Sequence, residues 1–137
     1  MNSLPVVIDT NIFISAILFE GEVNKLVYLW QCNKIKILMS HEILKQYIMV
    51  LSYPKFKLKK SEIEYIIKEN LLPFIEVIQI KTKINLIKDD ISDNKFLSLA
   101  IDGKAKYIIS GDKHLLSLKN IYNIKIISAR EFLNIIY

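Results

Sequence analysis

The sequence predicts a three-layer α/β/α domain, with helices on both faces of a central parallel sheet of about five strands. Apolar runs of strand length alternate with segments of helical periodicity. Only three Gly and three Pro occur and 52% of the residues are hydrophobic, which is typical of a chain rich in regular structure. The 137 residues suffice for one buried core and no linker divides them, so we predict one domain over residues 1–137.

The strands are predicted from five apolar runs that are rich in β-branched residues. Pro5 stands at the start of the first run, where a missing N–H group is tolerated. Because helical segments separate the runs, the strands are expected to pair in parallel. The runs cover residues 6–8, 35–39, 75–80, 107–109 and 124–127.

Helices are predicted from apolar periodicity and from capping sequences. One apolar face recurs at helical spacing within residues 43–51, and another within residues 96–101. The pattern Ser-x-x-Glu, typical of a capping box, begins at Ser61 and again at Ser128. These two boxes predict the start of two further helices.

Composition excludes several classes of protein. A single cysteine, Cys32, excludes an internal disulfide and a zinc site built from cysteines. No apolar run has the length of a membrane span, and the first residues lack the charged start and cleavage site of a signal peptide. We therefore expect a cytoplasmic protein without a membrane partner.

The net charge of +5 suits a polyanionic partner such as a nucleic acid, but also suits an ordinary Lys-rich protein. Four lysines are concentrated in one short segment of the chain. They fit two interpretations, a contact to a phosphate backbone or a solvated loop. These residues are Lys55, Lys57, Lys59 and Lys60.

Three aspartates are predicted to meet at the carboxyl edge of the sheet, where ligands bind in folds of this class. Asp9 follows the first strand, and Asp112 follows the fourth. Asp93 begins the helix before the fourth strand. A helix of about eleven residues descends roughly 16 Å and the strand climbs back about as far, which returns Asp93 to the edge of Asp112. Asp9 joins them if the first and fourth strands are neighbours.

Three close carboxylates repel one another unless a cation lies between them. Their hard oxygen atoms suit Mg²⁺ or Mn²⁺. Such an ion lowers the pKa of bound water and polarises a phosphoryl oxygen, and both effects serve phosphodiester hydrolysis. Each residue also has a structural interpretation, since Asp9 and Asp93 suit helix N-caps and Asp112 suits a turn.

Three stretches of the chain resemble PIN-domain nucleases, in particular the VapC-like toxins of type II toxin–antitoxin systems. They read VVIDTNIFISA, LMSHEILKQYIMVLSYPKF and DISDNKFLSLAIDGKAKYIISGDKHLLSL. The resemblance implies an endoribonuclease that needs Mg²⁺ or Mn²⁺, cleaves RNA and is held inactive by a cognate antitoxin; it leaves a homodimer open. Carried over by motif, the catalytic and metal-binding acids are Asp9, Asp93 and Asp112, with Thr10, Asn11 and Ser110 as supporting residues.

Two positions depart from the family pattern. Gln46, which is neutral, occupies the place of the family's second acid, and Glu42 lies one turn earlier, about 6 Å along the same helical face. His114 stands where the family often has an acid. Two functions therefore stay open. One is an active metal-dependent ribonuclease, and the other is a weak or inactive PIN module that binds RNA or an antitoxin without cleaving.

Overall fold

The structure is a computed structural model that describes residues 3–84 and 93–137. Its described strands form one sheet whose order is β3-β2-β1-β4-β6-β5. All neighbours pair in parallel except β5, which is antiparallel to β6. The predicted parallel α/β sheet is confirmed, with one short antiparallel strand added at an edge. The strands are β1 (Leu4–Ile8), β2 (Ile35–Met39), β3 (Ile75–Val77), β4 (Tyr107–Ile109), β5 (Asn120–Ile121) and β6 (Ile124–Ile127).

Seven α-helices lie in the described part of the chain, and none of its helices is long and apolar enough to cross a membrane. Shorter helical turns cover Glu22–Asn24, Pro54–Phe56 and Leu72–Phe74, and a π-helical stretch covers Ile66–Leu71. The α-helices are α1 (Thr10–Leu18), α2 (Lys25–Gln31), α3 (His41–Leu51), α4 (Lys60–Tyr65), α5 (Asn94–Asp102), α6 (Lys113–Leu116) and α7 (Ala129–Ile136).

The capping box predicted at Ser128 is confirmed. Ser128 Oγ accepts a hydrogen bond from the Glu131 N–H at 3.1 Å, and Glu131 Oε1 accepts one from the Ser128 N–H at 3.4 Å. The box predicted at Ser61 is wrong, because α4 already begins at Lys60. In a capping box, the carboxylate accepts a hydrogen bond from the N–H group three residues before it. In α4 this carboxylate belongs to Glu62, which accepts from the Lys59 N–H at 2.8 Å.

The third strand ends at Val77 rather than at residue 80 as predicted. Its neighbour β2 ends at Met39, whose carbonyl accepts the last hydrogen bond, from the Ile78 N–H at 2.8 Å. The N–H groups of Lys81 and Thr82 then donate to the Asp102 carboxylate at 2.7 and 2.9 Å. The segment after Val77 therefore leaves the sheet because its partners are no longer strand carbonyls.

Strand β1 lies between β2 and β4 at the centre of the sheet. Val6 is paired with Tyr107, and Ile8 with Ile109. Strands β2 and β3 lie on one side of β1, and β4 and the later strands lie on the other. The strand order thus reverses between β1 and β4, and in open α/β sheets such a reversal leaves a crevice at the carboxyl ends of the two strands. Asp9 was predicted to join Asp112 if the first and fourth strands are neighbours. Strands β1 and β4 are neighbours.

Candidate active site and metal centre

Asp9 is the first residue after β1, and it is held from three sides. Its Oδ1 accepts a hydrogen bond from the Ile12 N–H at 2.8 Å, which makes it the N-cap of α1. Its Oδ2 accepts from the Ser110 hydroxyl and from the Gly111 N–H at 3.3 Å. Asp9 is only 6% exposed. The three donors compensate for the loss of water around a buried carboxylate.

Burial raises the pKa of Asp9 above its ordinary value. The hydrogen bonds from Ser110, Ile12 and Gly111 lower this pKa, and the nearby negative charge of Asp112 raises it further. A cation beside the carboxylate would act in the opposite direction, because an opposite charge favours the ionised form. Asp9 is therefore a buried acid whose environment favours a positive neighbour.

Asp112 follows β4 after two residues and caps the short helix α6. Its Oδ1 accepts hydrogen bonds from the His114 N–H at 2.8 Å and the Leu115 N–H at 3.1 Å. Both bonds are to Oδ1, so they leave Oδ2 for another ligand. The structural interpretation of Asp9 as a cap is thus correct for its bond to Ile12, whereas Asp112, which was interpreted as a turn residue, caps a helix. A carboxylate has about four lone-pair sites, so capping orients each group and still leaves it able to bind a metal ion.

Ser110 connects the two aspartates. Its hydroxyl donates to Asp9 Oδ2, and its Oγ accepts from the Asp112 N–H at 2.9 Å. Ser110 is fully buried, and its own N–H donates to the carbonyl of Ile127 at 3.0 Å. One hydroxyl group therefore fixes the position of Asp9 relative to the start of α6.

Asp93 directly precedes α5, at the N-cap position, and is half-buried. The start of α5 lies at the carboxyl edge, because Asn94 lines a cavity of about 430 Å³ together with Ser40 and Ile78, which follow β2 and β3. In residues 3–84 and 93–137, no three His, Cys, Asp or Glu side chains are grouped closely enough to hold a metal ion. The structure brings Asp9 and Asp112 together, and the role of Asp93 as a metal ligand stays a prediction.

The positions on α3 differ in their surroundings. Gln46 is half-buried, and its Oε1 is buried without a hydrogen-bond partner among the described residues. Glu42 is exposed and lines the 430 Å³ cavity beside Asn94. The Gln46 amide oxygen is a neutral atom that can accept a hydrogen bond or bind a cation. The exposed Glu42 carboxylate is accessible to water instead.

The two residues after Asp9 also differ. The Thr10 Oγ1 atom is buried and finds no hydrogen-bond partner in the described part of the chain. Asn11 is exposed, on the outer face of α1. Of the two residues that follow Asp9, Thr10 is therefore buried in the protein and Asn11 is exposed to solvent.

Tyr47 is a residue of the site that sequence reasoning placed only in the apolar face of a helix. Its hydroxyl donates to the carbonyl of Ile8, one residue before Asp9, and its ring stacks on Phe13 at 4.2 Å between centroids. Burial, with the Asp9 charge as a smaller cause, raises the pKa of Tyr47 well above its ordinary value, so the hydroxyl stays a donor. A buried Tyr needs a partner for its hydroxyl, and this need was the available signal.

Comparison with known proteins identifies the fold family. The family model of the PIN domain matches residues 5–114. This chain belongs to the PIN-domain family. The resemblance of the three sequence stretches to PIN-domain toxins is confirmed.

The chain is also similar to two other proteins. The chain is 34% identical over 142 residues to the uncharacterized protein MJ1680 of Methanocaldococcus jannaschii, a match that covers 95% of this chain and 90% of that protein. It also resembles the crystal structure of VapBC2 from Rickettsia felis bound to a DNA fragment from their promoter. That match has a TM-score of 0.54 and 20% identity, and covers 90% of this chain and 97% of the other. At this identity, the likeness shows the fold of the PIN domain. PIN domains are generally nucleases that typically use divalent metal ions.

Proposed function

We propose that this PIN domain is a metal-dependent endoribonuclease and the toxin of a type II toxin–antitoxin pair. In this proposal it acts in the cytoplasm, hydrolyses phosphodiester bonds of RNA and is restrained by a cognate antitoxin. The observation that carries the proposal is the pairing of Asp9 and Asp112 at the carboxyl ends of β1 and β4, joined through Ser110. Family membership and the likeness in fold to a VapBC structure support it.

The donors at this edge fit Mg²⁺ or Mn²⁺. Mg²⁺ in proteins is commonly held by one or two carboxylates and keeps several waters. Asp9 and Asp112 supply two such carboxylates, and Asp93 is the predicted third. The Oε1 of Gln46, which has no hydrogen-bond partner in the described part of the chain, is a further hard oxygen atom on helix α3. When bound, the ion would lower the pKa of a water molecule and polarise a phosphoryl oxygen of the substrate.

The side chains of the protein prepare this site before any ligand arrives. Hydrogen bonds to one oxygen of each cap, and the bridge through Ser110, hold the carboxylates in fixed orientations. Such preorganisation lowers the cost of reorganisation when charge develops during the reaction. The burial of Asp9 also strengthens its attraction to a cation, because the local dielectric constant is low.

A second function is favoured by Gln46. In this alternative, the protein binds RNA or an antitoxin without cleaving RNA. The position of the family's second acid is neutral here, and three acids are not grouped at one point of the described residues. The two functions make different predictions for the same experiment.

That experiment is a cleavage assay with purified protein and a panel of single-stranded and structured RNAs. We expect cleavage with Mg²⁺ or Mn²⁺ and none with EDTA. Asp112→Asn should lower the cleavage rate at least about a hundredfold, the loss of a few kcal/mol of transition-state stabilisation. Its fold should stay intact, because the Asn oxygen still caps α6. Glu76→Gln, an exposed change of the same type on β3, is the matched control and should cleave normally.

Three results would contradict parts of this proposal. Undiminished cleavage in EDTA would exclude the metal mechanism. Near-normal cleavage by a folded Asp112→Asn variant would remove Asp112 from the site. If RNA binds but is never cleaved by the native protein, the binding module is the correct function.

A further inference from the structure

A groove follows α1 away from the aspartate pair. It has a volume of about 570 Å³ and runs from Asn11, in the first turn of α1, past Leu18 to Phe19 and Phe56. Leu18 lies seven positions after Asn11 in the helix, a distance of about 11 Å along the axis. Asn11 is two residues along the chain from Asp9, so one end of this groove, here called the α1 groove, lies near the candidate active site.

The far end of the α1 groove presents aromatic rings to solvent. Phe19 is 54% exposed, although it is a large apolar side chain. Its ring lies 6.3 Å from that of Phe56, at an interplanar angle of 58°. The Lys55 Nζ lies 5.1 Å from the centre of the Phe56 ring. An exposed ring contributes little to the core, so the stability of the fold does not explain its presence.

The charge around the groove has one sign on the side opposite α1. Residues 43–61 include five Lys and no Asp or Glu. Lys55 and Lys57 are both exposed in the loop between α3 and α4. Helix α1 itself carries no charged residue. A polyanion on this surface would therefore meet Lys side chains at the aromatic end of the α1 groove.

We propose that the α1 groove holds a single-stranded segment of RNA that continues into the aspartate pair. A base stacks on the exposed ring of Phe19, beside Phe56, and flanking phosphates lie beside Lys55 and Lys57. Open aromatic rings together with lysines are the arrangement by which proteins bind single strands without reading their sequence. The inference deepens the proposed function and rests on it for the path of the strand into the site.

The surface favours RNA over a protein segment. An amphipathic helix needs a continuous apolar stripe to pack against, and the α1 groove is interrupted by the polar residues Asn11 and Ser15. A single strand of RNA has a partner for both kinds of group at the groove. Its bases are flat surfaces for the aromatic rings, and its phosphates are counter-charges for the lysines. An acidic peptide would satisfy only the lysines.

The test measures binding of a labelled, mixed-sequence single-stranded RNA to the full chain in EDTA, so that binding does not depend on hydrolysis. Phe19→Ala should weaken binding about tenfold, the loss of one stacking contact. Phe19→Trp should retain the affinity and Phe19→Leu should not, because Leu keeps apolar area without a ring. Lys55→Ala should weaken binding less and reduce the steepness of the salt dependence by about one counterion.

A matched control pair lies at the opposite edge of the sheet. Tyr122 is 75% exposed and shares a cavity of about 260 Å³ with Lys106, next to the start of β4. Tyr122→Ala and Lys106→Ala therefore remove the same kinds of group away from the α1 groove. Both should bind RNA within about twofold of the native protein.

The possible outcomes separate the two proposals. Native affinity in Phe19→Ala and Lys55→Ala would overturn the inference, even if the native protein cleaves RNA. Groove-dependent binding without cleavage in Mg²⁺ or Mn²⁺ would overturn the proposed activity and leave the inference standing. If the groove variants bind RNA normally but lose a synthetic acidic amphipathic peptide, the groove docks a protein segment and the inference is wrong.

Discussion

The two sides of the candidate site differ in how their oxygen atoms are held. On the strand side, Asp9 and Asp112 each accept hydrogen bonds from backbone N–H groups, and Ser110 connects them. On the side of α3, Glu42 is exposed, and the buried Oε1 of Gln46 has no hydrogen-bond partner among the described residues. The carboxylates of the strand side are thus held without a ligand, whereas the amide oxygen of Gln46 on the α3 side is held by none of the described residues.

Among the variants that test this comparison, Ser110→Ala is expected to have the largest effect. It removes the hydroxyl group that connects the two aspartates of the strand side. Asp9 would lose a hydrogen bond in a buried position, and leaving a buried polar group unsatisfied costs about 1–3 kcal/mol. The pKa of Asp9 should rise further, because a bond that lowers it is lost. We expect a lower free energy of unfolding in urea, weaker binding of Mn²⁺ and slower RNA cleavage.

The control for this prediction is Ser52→Ala. Ser52 is exposed, and its hydroxyl donates to the carbonyl of Met49 at 2.6 Å, so the same atom is removed at a helix end away from the aspartates. This variant should lose less than about 1 kcal/mol and keep its affinity for Mn²⁺. Equal stability losses in the two variants would show that Ser110 has no special role.

The second prediction adds a charge to the other side. In Gln46→Glu, a carboxylate replaces a half-buried amide, so the metal-free protein should lose about 1–3 kcal/mol of stability. Hard cations bind more tightly as ligand charge increases, so the affinity for Mn²⁺ should rise about tenfold. We expect Mn²⁺ to raise the melting temperature more than in the native protein, with faster cleavage of RNA.

Glu42→Gln is the matched variant one turn earlier on α3. Because Glu42 is exposed, this change should leave Mn²⁺ affinity and cleavage nearly unaltered. The opposite pattern, with cleavage abolished in Glu42→Gln and unchanged in Gln46→Glu, would place the fourth acid at Glu42. Isothermal titration with Mn²⁺ measures both affinities directly.

The smallest effect is expected at the end of α5, where Asp102 holds the segment after β3. The Thr82 hydroxyl donates to Asp102 Oδ1 at 2.5 Å, and hydrogen bonds from Thr82, first its side chain and then its N–H, lower the pKa of Asp102. A lowered folded-state pKa stabilises the protein above the unfolded-state value, near 3.9, and this stability is lost as the pH falls through the folded-state value.

The native protein should therefore exceed Asp102→Asn in stability by a constant amount near neutral pH. Water screens this site, so we expect less than about 1 kcal/mol. The difference should shrink below about pH 4, because the Asp102 carboxylate of the unfolded chain binds a proton at a higher pH than that of the native protein. Urea unfolding at several pH values measures it, and a difference that grows with acidity would contradict the assignment.

The strand side of the site was predictable from sequence because its determinants are local. Asp9 and Asp112 each follow an apolar run, and parallel strands bring such positions to one edge. Ser110 was selected by motif, but its bridge to Asp9 depends on the pairing of β1 with β4, which the sequence left as a condition. The fold was likewise predictable, since alternating periodicities determine the layers.

The remaining features depend on partners distant in the chain. The hydrogen bond from the Tyr47 hydroxyl to the Ile8 carbonyl spans 39 residues. The hydrogen bond from Thr82 to Asp102 spans 20. Neither spacing corresponds to a local motif. The wrong capping box at Ser61 has a different cause, since the helix begins one residue before Ser61 and Glu62, not Glu64, accepts the hydrogen bond from the N-cap N–H group.

The bridge between Asp9 and Ser110 joins residues 101 positions apart, and this separation has a consequence for synthesis of the protein. At translation rates of about 5–20 residues per second, Asp9 precedes its hydroxyl partner by roughly 5–20 s. During that interval the nascent chain has one aspartate of the pair and lacks the strand that carries the other. A chain interrupted before β4 lacks Asp112, so the pair of Asp9 and Asp112 is assembled only after β4 has been synthesised.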